Sequence, residues 1–219
     1  MNTQVVVTAD GSHSILNTDI GQHYHSIYGA IQESERVFIE LGLTYAFTLF
    51  EGPIRVFEMG FGTGLNALMT TREAMRLHHP IDYVAVEAYP IDPTAGKSLN
   101  YDGQLTTFWL DDLHDAPWGI QTPITPYFTL TKYRTPIQAL PNVGPFHVIY
   151  YDAFAPEGQP ELWTTEIFEQ MASMLRPGGI LTTYCSKSAV QRNLRDAGFL
   201  VEKHTGPARK REVIRAIRL

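Results

Sequence analysis

Cysteine is nearly absent: Cys185 is the single thiol in 219 residues. No disulfide can form within the chain, which suits a reducing compartment. Nothing beside Cys185 would depress its pKa, so it reads as a small buried hydrophobe on a strand. Long apolar runs are missing too, and none reaches the roughly 18 residues that a membrane-spanning helix needs. The opening residues Met1-Asn2-Thr3-Gln4 have neither the basic nor the apolar segment of an export signal. A cytoplasmic location with no membrane partner is therefore expected. Cations are in deficit, 17 Lys and Arg against 23 Asp and Glu, which speaks against general coating of nucleic acid. The eight histidines never fall at metal-ligand spacing. They read as surface or loop residues, and no metal is expected. Neither a Ser-His-Asp signature nor a phosphate-binding G-x-x-x-x-G-K occurs.

What is present is the pattern of one α/β domain, 46–219, preceded by a leader and helical lead-in over 1–45. Residues 1–18 read as a hairpin-like leader, with Val5-Val6-Val7 as an edge strand and Asp10-Gly11 as its turn. Over 26–43, Ile27, Ile31, Val37, Phe38 and Leu41 recur at helical spacing. A strand is expected at 55–59, a helix at 65–78, a strand at 82–88 and a helix at 93–100. Residues 101–126 lack clear periodicity and read as a long surface excursion, of the kind that forms lids. Strands follow at 127–133 and 146–151, then a helix at 164–175 stopped by Arg176-Pro177-Gly178-Gly179. A strand at 180–185, a helix at 189–197 and two strands at 199–204 and 212–217 complete the chain. Alternating strands and helices call for a parallel sheet covered on both faces, and the last pair for an antiparallel hairpin at its edge. The expected class is α/β, Rossmann-like and doubly wound, with a mostly parallel seven-stranded sheet.

In such sheets ligands bind beyond the carboxyl ends of the strands. The first central strand runs into Glu58-Met59-Gly60-Phe61-Gly62-Thr63-Gly64, where glycines permit a sharp turn and close approach of a ligand. This G-x-G-x-G differs from the G-x-G-x-x-G of dinucleotide binders, since Leu65 stands where their third glycine packs the helix. A nicotinamide oxidoreductase is thereby disfavoured. Glu87 closes the second strand, and an acid there accepts hydrogen bonds from ribose hydroxyls. Loop and acid together point to an adenosine ligand.

The strand at 146–151 ends at Asp152-Ala153-Phe154-Ala155-Pro156. Were the adenosine ligand a methyl donor and the acceptor an amine, the nitrogen would need a free lone pair, whereas an aliphatic ammonium has a pKa of about 10.4 in water. Asp152 is placed to orient that nitrogen and stabilise the cation that forms. With an ordinary pKa of about 3.9 it is a weak base, so orientation rather than proton removal is its expected role. Phe154 offers a face to a planar base, and Pro156 stiffens the turn. Toward the end of the chain, Lys203, Arg209, Lys210, Arg211, Arg215 and Arg218 stand against one acid, Glu212. Such an edge can dock a polyanion locally.

These stretches, with Pro160-Glu161-Leu162-Trp163-Thr164, Asp196-Ala197-Gly198-Phe199, Arg209-Lys210-Arg211-Glu212 and Tyr24-His25-Ser26, resemble one family. It is the methyltransferase domain of the bacterial enzymes that make 5-methylaminomethyl-2-thiouridine at the tRNA wobble position. The resemblance covers residues 19–215 and implies a class I S-adenosylmethionine-dependent methyltransferase. The implied reaction is N-methylation of the 5-aminomethyl group of (2-thio)uridine 34; an alternative is methylation of a small-molecule amine. It implies that S-adenosylmethionine rests on Glu58, Gly60, Phe61, Gly62, Thr63, Gly64, Asn66, Glu87 and Asp152, with Asp152 also catalytic. The implied partner is the tRNA anticodon stem-loop, met by Tyr24, Ser26, Phe154, Pro156, Lys187, Arg209, Lys210 and Arg211. Many relatives carry a fused flavin-dependent oxidase, for which no residues remain here. The resemblance is therefore to a stand-alone form without FAD, served by a separate oxidase or by the upstream wobble-uridine modification complex. One departure stands out: Lys132-Tyr133-Arg134-Thr135 has no acid for the adenine amino group, so the adenine contact is unassigned.

Overall fold

The computed structural model describes residues 2–207 and 210–219. The leader forms its own small antiparallel sheet, β1 (Thr3–Val7), β2 (His13–Asn17) and β3 (Gln22–His23). Val5 pairs with Ile15, and Gly11 takes a positive φ in the turn. The lead-in is one helical run over 30–49, α-helical at Ala30–Ser34 and Tyr45–Leu49 and π-helical through Glu35–Thr44. It starts four residues later than its apolar spacing suggests, because Ser26 to Gly29 form a turn, with Gly29 N–H donating to Ser26 O at 3.1 Å and Gly29 at φ 147°.

The remaining strands build one eight-stranded sheet: β4 (Ile54–Met59), β5 (Ile81–Val86), β6 (Thr122–Thr125), β7 (Phe128–Tyr133), β8 (Phe146–Tyr151), β9 (Leu175–Thr183), β10 (Phe199–Thr205) and β11 (Glu212–Arg218). Their spatial order is β10-β11-β9-β8-β4-β5-β7-β6. The five central strands are parallel, and β11 runs antiparallel between β9 and β10. The seven expected strands are all there; β6 is an eighth, pairing antiparallel with β7. It comes from the stretch read as an excursion, which also holds the helices Tyr101–Leu105 and Leu110–Asp115. Those residues are no surface loop, since Tyr101, Leu110 and Leu113 are buried. Helices of five or six residues make fewer than two turns, too few to display a period.

Side chains alternate across the central strands, as a sheet with two covered faces requires. Ile54 and Val56 of β4 join the layer that contains Val37, Phe38, Leu68 and Met69, whereas Phe57 and Met59 join Phe168, Met171, Val190 and Leu194. Helix Leu65–Leu77 therefore covers one face, and helices Thr165–Met174 and Ser188–Asp196 the other. The expected stop at 176–179 does end a helix, but its residues are drawn into β9 as an irregularity in register. From β4 the chain winds outward through β5 to β7, then returns to β8 on the opposite side. That reversal opens a crevice between the tips of β4 and β8. Among the described residues no helix is long and apolar enough to cross a membrane.

Candidate active site

The crevice is a cavity of about 910 Å³. Its floor is the turn after β4. Gly60 adopts φ 91°, and a Cβ there would lie 2.9 Å from the Asp152 carbonyl oxygen. Gly62 adopts φ 48°, and its Cβ would meet the Tyr24 ring at 3.0 Å. Only glycine lets β8 and the leader close so tightly on this turn. Backbone bonds tie it to both neighbours: Gly60 N–H donates to Val86 O at 3.0 Å, and Asp152 N–H to Met59 O at 3.1 Å. Glu87 braces it further, accepting from Gly62 N–H at 3.1 Å and from Tyr89 N–H at 2.9 Å.

Across the turn stands Asp152, joined to the floor through a side-chain amide. Asn66 Nδ2 donates to Asp152 Oδ2 at 2.8 Å and to Glu58 Oε1 at 3.0 Å. Burial, reinforced by the nearby charge of Glu33, pushes the Asp152 carboxyl up to about 7, against the opposing Asn66 bond and Lys210 charge. Burial likewise raises Glu58 well above the usual range, with the Asp152 charge adding to it, and burial raises Glu87. At about 7 Asp152 exchanges protons under ordinary conditions, a capacity that its reference pKa does not suggest.

Aromatic and cationic walls complete the cavity. Phe154 meets Tyr24 edge to face at 4.8 Å, and Trp163 Nε1 donates to Phe154 O at 2.8 Å, fixing the turn after β8. Burial and the Glu87 charge raise the Tyr24 hydroxyl pKa. Lys210 Nζ pairs with Glu33 and lies 4.4 Å from the centre of the Tyr184 ring. Beyond β7, Thr135, Ile137 and Gln138 border the cavity.

Behind the glycine turn the excursion is packed as a brace. His114 Nε2 donates to Thr63 O at 3.1 Å, and Lys132 Nζ donates to Leu113 O at 2.7 Å and His114 O at 2.9 Å. The same ammonium lies 4.9 Å from the Phe61 and Trp118 ring centres. Burial lowers His114 to about 4 and Lys132 to about 8. From the leader, His25 Nε2 contacts Thr63 Oγ1 at 2.6 Å, and burial, helped by the Lys210 charge, lowers it to about 4. His25 and His114 are thus not the loose histidines that their spacing suggested. Proximity in space, not ligand spacing, brings them to Thr63.

The cavity brings together most of the expected residues: Gly60, Phe61, Gly62, Thr63, Asn66, Glu87, Asp152, Tyr24, Ser26, Phe154 and Lys210. Several others stand apart. Glu58 is 1% exposed beneath the turn and reaches the cavity only through Asn66. Gly64 caps helix Leu65–Leu77. Pro156 lies in the turn after β8 without lining the cavity, and Lys187 pairs with Glu157. Arg211 is exposed and does not line the cavity, and Arg209 lies outside the described residues. On the basic edge Lys203 pairs with Glu212 at 3.0 Å and Arg215 with Glu202 at 2.8 Å. Sequence reasoning missed Glu33, Tyr184 and the stretch 17–23. For Tyr184 the strand-end rule was available, since it follows β9; Glu33 gave no such signal.

A family model described as S-adenosyl-L-methionine-dependent methyltransferase matches residues 128–218. The tRNA 5-methylaminomethyl-2-thiouridine biosynthesis bifunctional protein MnmC of Pseudoalteromonas atlantica is 29% identical over 249 residues, covering 95% of this chain and 32% of that protein. Its namesake from Maricaulis maris is 30% identical over 213 residues, covering 90% and 36%. The chain thus spans about a third of the length of these curated relatives. Among solved structures, MNMC2 from Aquifex aeolicus superposes with a TM-score of 0.79 at 22% identity, covering 98% of this chain and 69% of that one. Spermidine synthase from Thermotoga maritima gives 0.54 at 15% identity, covering 100% and 72%. The fold is that of the class I S-adenosylmethionine-dependent methyltransferases, and the chain is similar to the MnmC proteins over most of its length.

Proposed function

We propose that this protein methylates the 5-aminomethyl nitrogen of (2-thio)uridine at tRNA position 34, with S-adenosylmethionine as donor. The observation that carries the reading is Asp152, titrating near 7 at the tip of β8 and tied through Asn66 to the glycine turn of β4. The cavity suits the donor. Its floor admits no side chain at Gly60 or Gly62, Glu87 is an acceptor for ribose hydroxyls, and Ile137 and Gln138 offer an apolar face and an amide to a purine. When bound, the donor supplies an electrophilic methyl group.

The chain's own residues do the rest. Asp152 takes up the proton that the incoming ammonium must lose, and in ionised form holds the nitrogen in place. Tyr24 and Phe154 border the space left for the base, where single-stranded nucleotides stack on aromatic rings. Walls from the leader and the turn after β8 limit water around the carboxylate, which strengthens its electrostatic effect. Lys187, Arg209 and Arg211 are the proposed phosphate contacts, since exposed ion pairs such as Lys187–Glu157 are weak and exchange readily.

The similarity to MnmC supports the tRNA substrate, and a separate oxidase or the upstream modification complex would supply the aminomethyl group. A small-molecule amine is favoured by one observation: Arg215, largely buried on the basic edge, already has Glu202 as its acidic partner. Incubation with labelled donor and tRNA from cells lacking the modification decides between them. Label in 5-methylaminomethyl(-2-thio)uridine is expected; label in free amines but never in tRNA would overturn the reading.

A further inference from the structure

Glu33 is a carboxylate that the fold goes to some length to keep. It lies in the segment Ala30–Ser34, is 6% exposed, and yet lines the cavity. A buried carboxylate is costly unless it is paired and hydrogen-bonded. One oxygen accepts from Ser26 N–H at 3.1 Å, and the other takes the ammonium of Lys210, 177 positions away in the chain. That ammonium also faces the Tyr184 ring, whose hydroxyl donates to Ala153 O at 2.8 Å and so fixes the ring's position. A carboxylate combined with an aromatic face is a seat for a cation. Its place beside Asp152 is felt there, for the Glu33 charge raises and the Lys210 charge lowers the Asp152 carboxyl.

Lysine ends in a methylene bearing a primary ammonium, and so does an aminomethyl substrate. Exchanging one for the other leaves the charge in the cavity unchanged and every acceptor partnered. Lys210 lies between β10 and β11, outside the sheet, so its side chain can leave without breaking strand pairing. We infer that Glu33, with the face of Tyr184 and the neighbouring Asp152, is the seat of the substrate's ammonium group, and that Lys210 holds this seat until the amine arrives. The inference rests on the amine-methylating reading above and deepens it. It makes Glu33 the residue that separates a charged aminomethyl group from a neutral hydroxymethyl group of nearly the same size.

The test uses the full chain and two nucleosides, 5-aminomethyluridine and 5-hydroxymethyluridine, titrated by calorimetry and by the ¹³Cε signals of its lysines. Wild-type protein is expected to bind the amine and not the alcohol. The Lys210 signal, identified by its loss in Lys210→Met, is expected to move to a free-lysine position as amine is added. Glu33→Gln is expected to weaken amine binding roughly ten- to a hundredfold, the worth of a hydrogen bond to a charged group. Lys210→Met is expected to tighten it several-fold, with donor affinity by heat shift unchanged in both. A merely structural ion pair predicts that the two variants lose affinity alike. That result, or a Lys210 signal indifferent to amine, overturns the inference. Should Glu33→Gln fail to fold, the Lys210→Met affinity and the Lys210 signal decide alone. If tRNA is never methylated while this pattern holds, the seat stands and the tRNA substrate falls. If tRNA is methylated at wild-type KM by both variants, the seat falls alone.

Discussion

The two sides of the glycine turn meet burial in opposite ways. On the cavity side burial raises two acids, Asp152 and Glu87, and a third, Glu58, lies just beneath. On the far side it lowers two bases, His114 and Lys132. Desolvation favours the neutral form in both cases. The difference lies in what each group is bonded to. His114 and Lys132 spend their N–H groups on the carbonyls of Thr63, Leu113 and His114, and so hold a backbone in place. Asp152 keeps an edge toward a cavity, where an incoming group can meet it. Groups on the far side should therefore matter for stability, and those on the cavity side for rate.

The largest expected effect breaks the cavity side alone. Asp152→Asn should slow methyl transfer in single-turnover assays by about 10²–10⁴, the usual worth of a positioned acid or base. Its melting temperature should stay close to wild type. In the wild type kcat/KM should rise with pH through about 7 as Asp152 ionises, and the variant should lose that limb. An unchanged pH profile would remove Asp152 from the chemistry.

Gly60→Ala joins the two sides, because its Cβ would press on the Asp152 carbonyl at a positive φ. Strain of this kind costs roughly 1–3 kcal/mol, to be read from denaturant midpoints, and the donor should bind more weakly. Lys132→Met should act on stability first. It strands two carbonyls, each worth roughly 1–3 kcal/mol, but relieves a buried charge, for a net loss of about 1–2 kcal/mol. A loss of rate with no loss of stability would contradict the proposed division.

A further test is a pH dependence. His114 titrates near 4 when folded and at 6.5 when free. Between those values the unfolded chain holds more protons, so this histidine's contribution to stability declines as pH falls from 6.5 toward 4. His114→Gln keeps a donor for Thr63 O without titrating. The variant's stability should fall less steeply than the wild type's across that window. Parallel curves would mean that His114 is not held neutral.

The strand-end motifs were legible because each lies within a few consecutive residues. Gly60 to Thr63, Glu87 and Asp152 could be read in order, and the fold gathered them at one crevice. The basic edge was legible as composition and misleading as geometry, since Lys210 turns inward to Glu33 while Lys203 and Arg215 pair across their hairpin. The excursion failed for a different reason. Its helices are too short for a period to show, although their buried face supplies the brace behind the turn.

The sequence by itself determined the doubly wound sheet, because alternation in strands and apolar spacing in helices are local consequences of backbone geometry. It also determined which residues stand at each strand tip, because the turn that needs glycine and the acid that follows a strand are each read within a few consecutive residues. Only the tertiary structure decided which distant groups stand together. The pairing of Glu33 with Lys210, the two histidines on Thr63 and the raised carboxyl of Asp152 all arise from exclusion of water among segments far apart in sequence. Burial of that kind belongs to the packed whole, and no window of residues carries it.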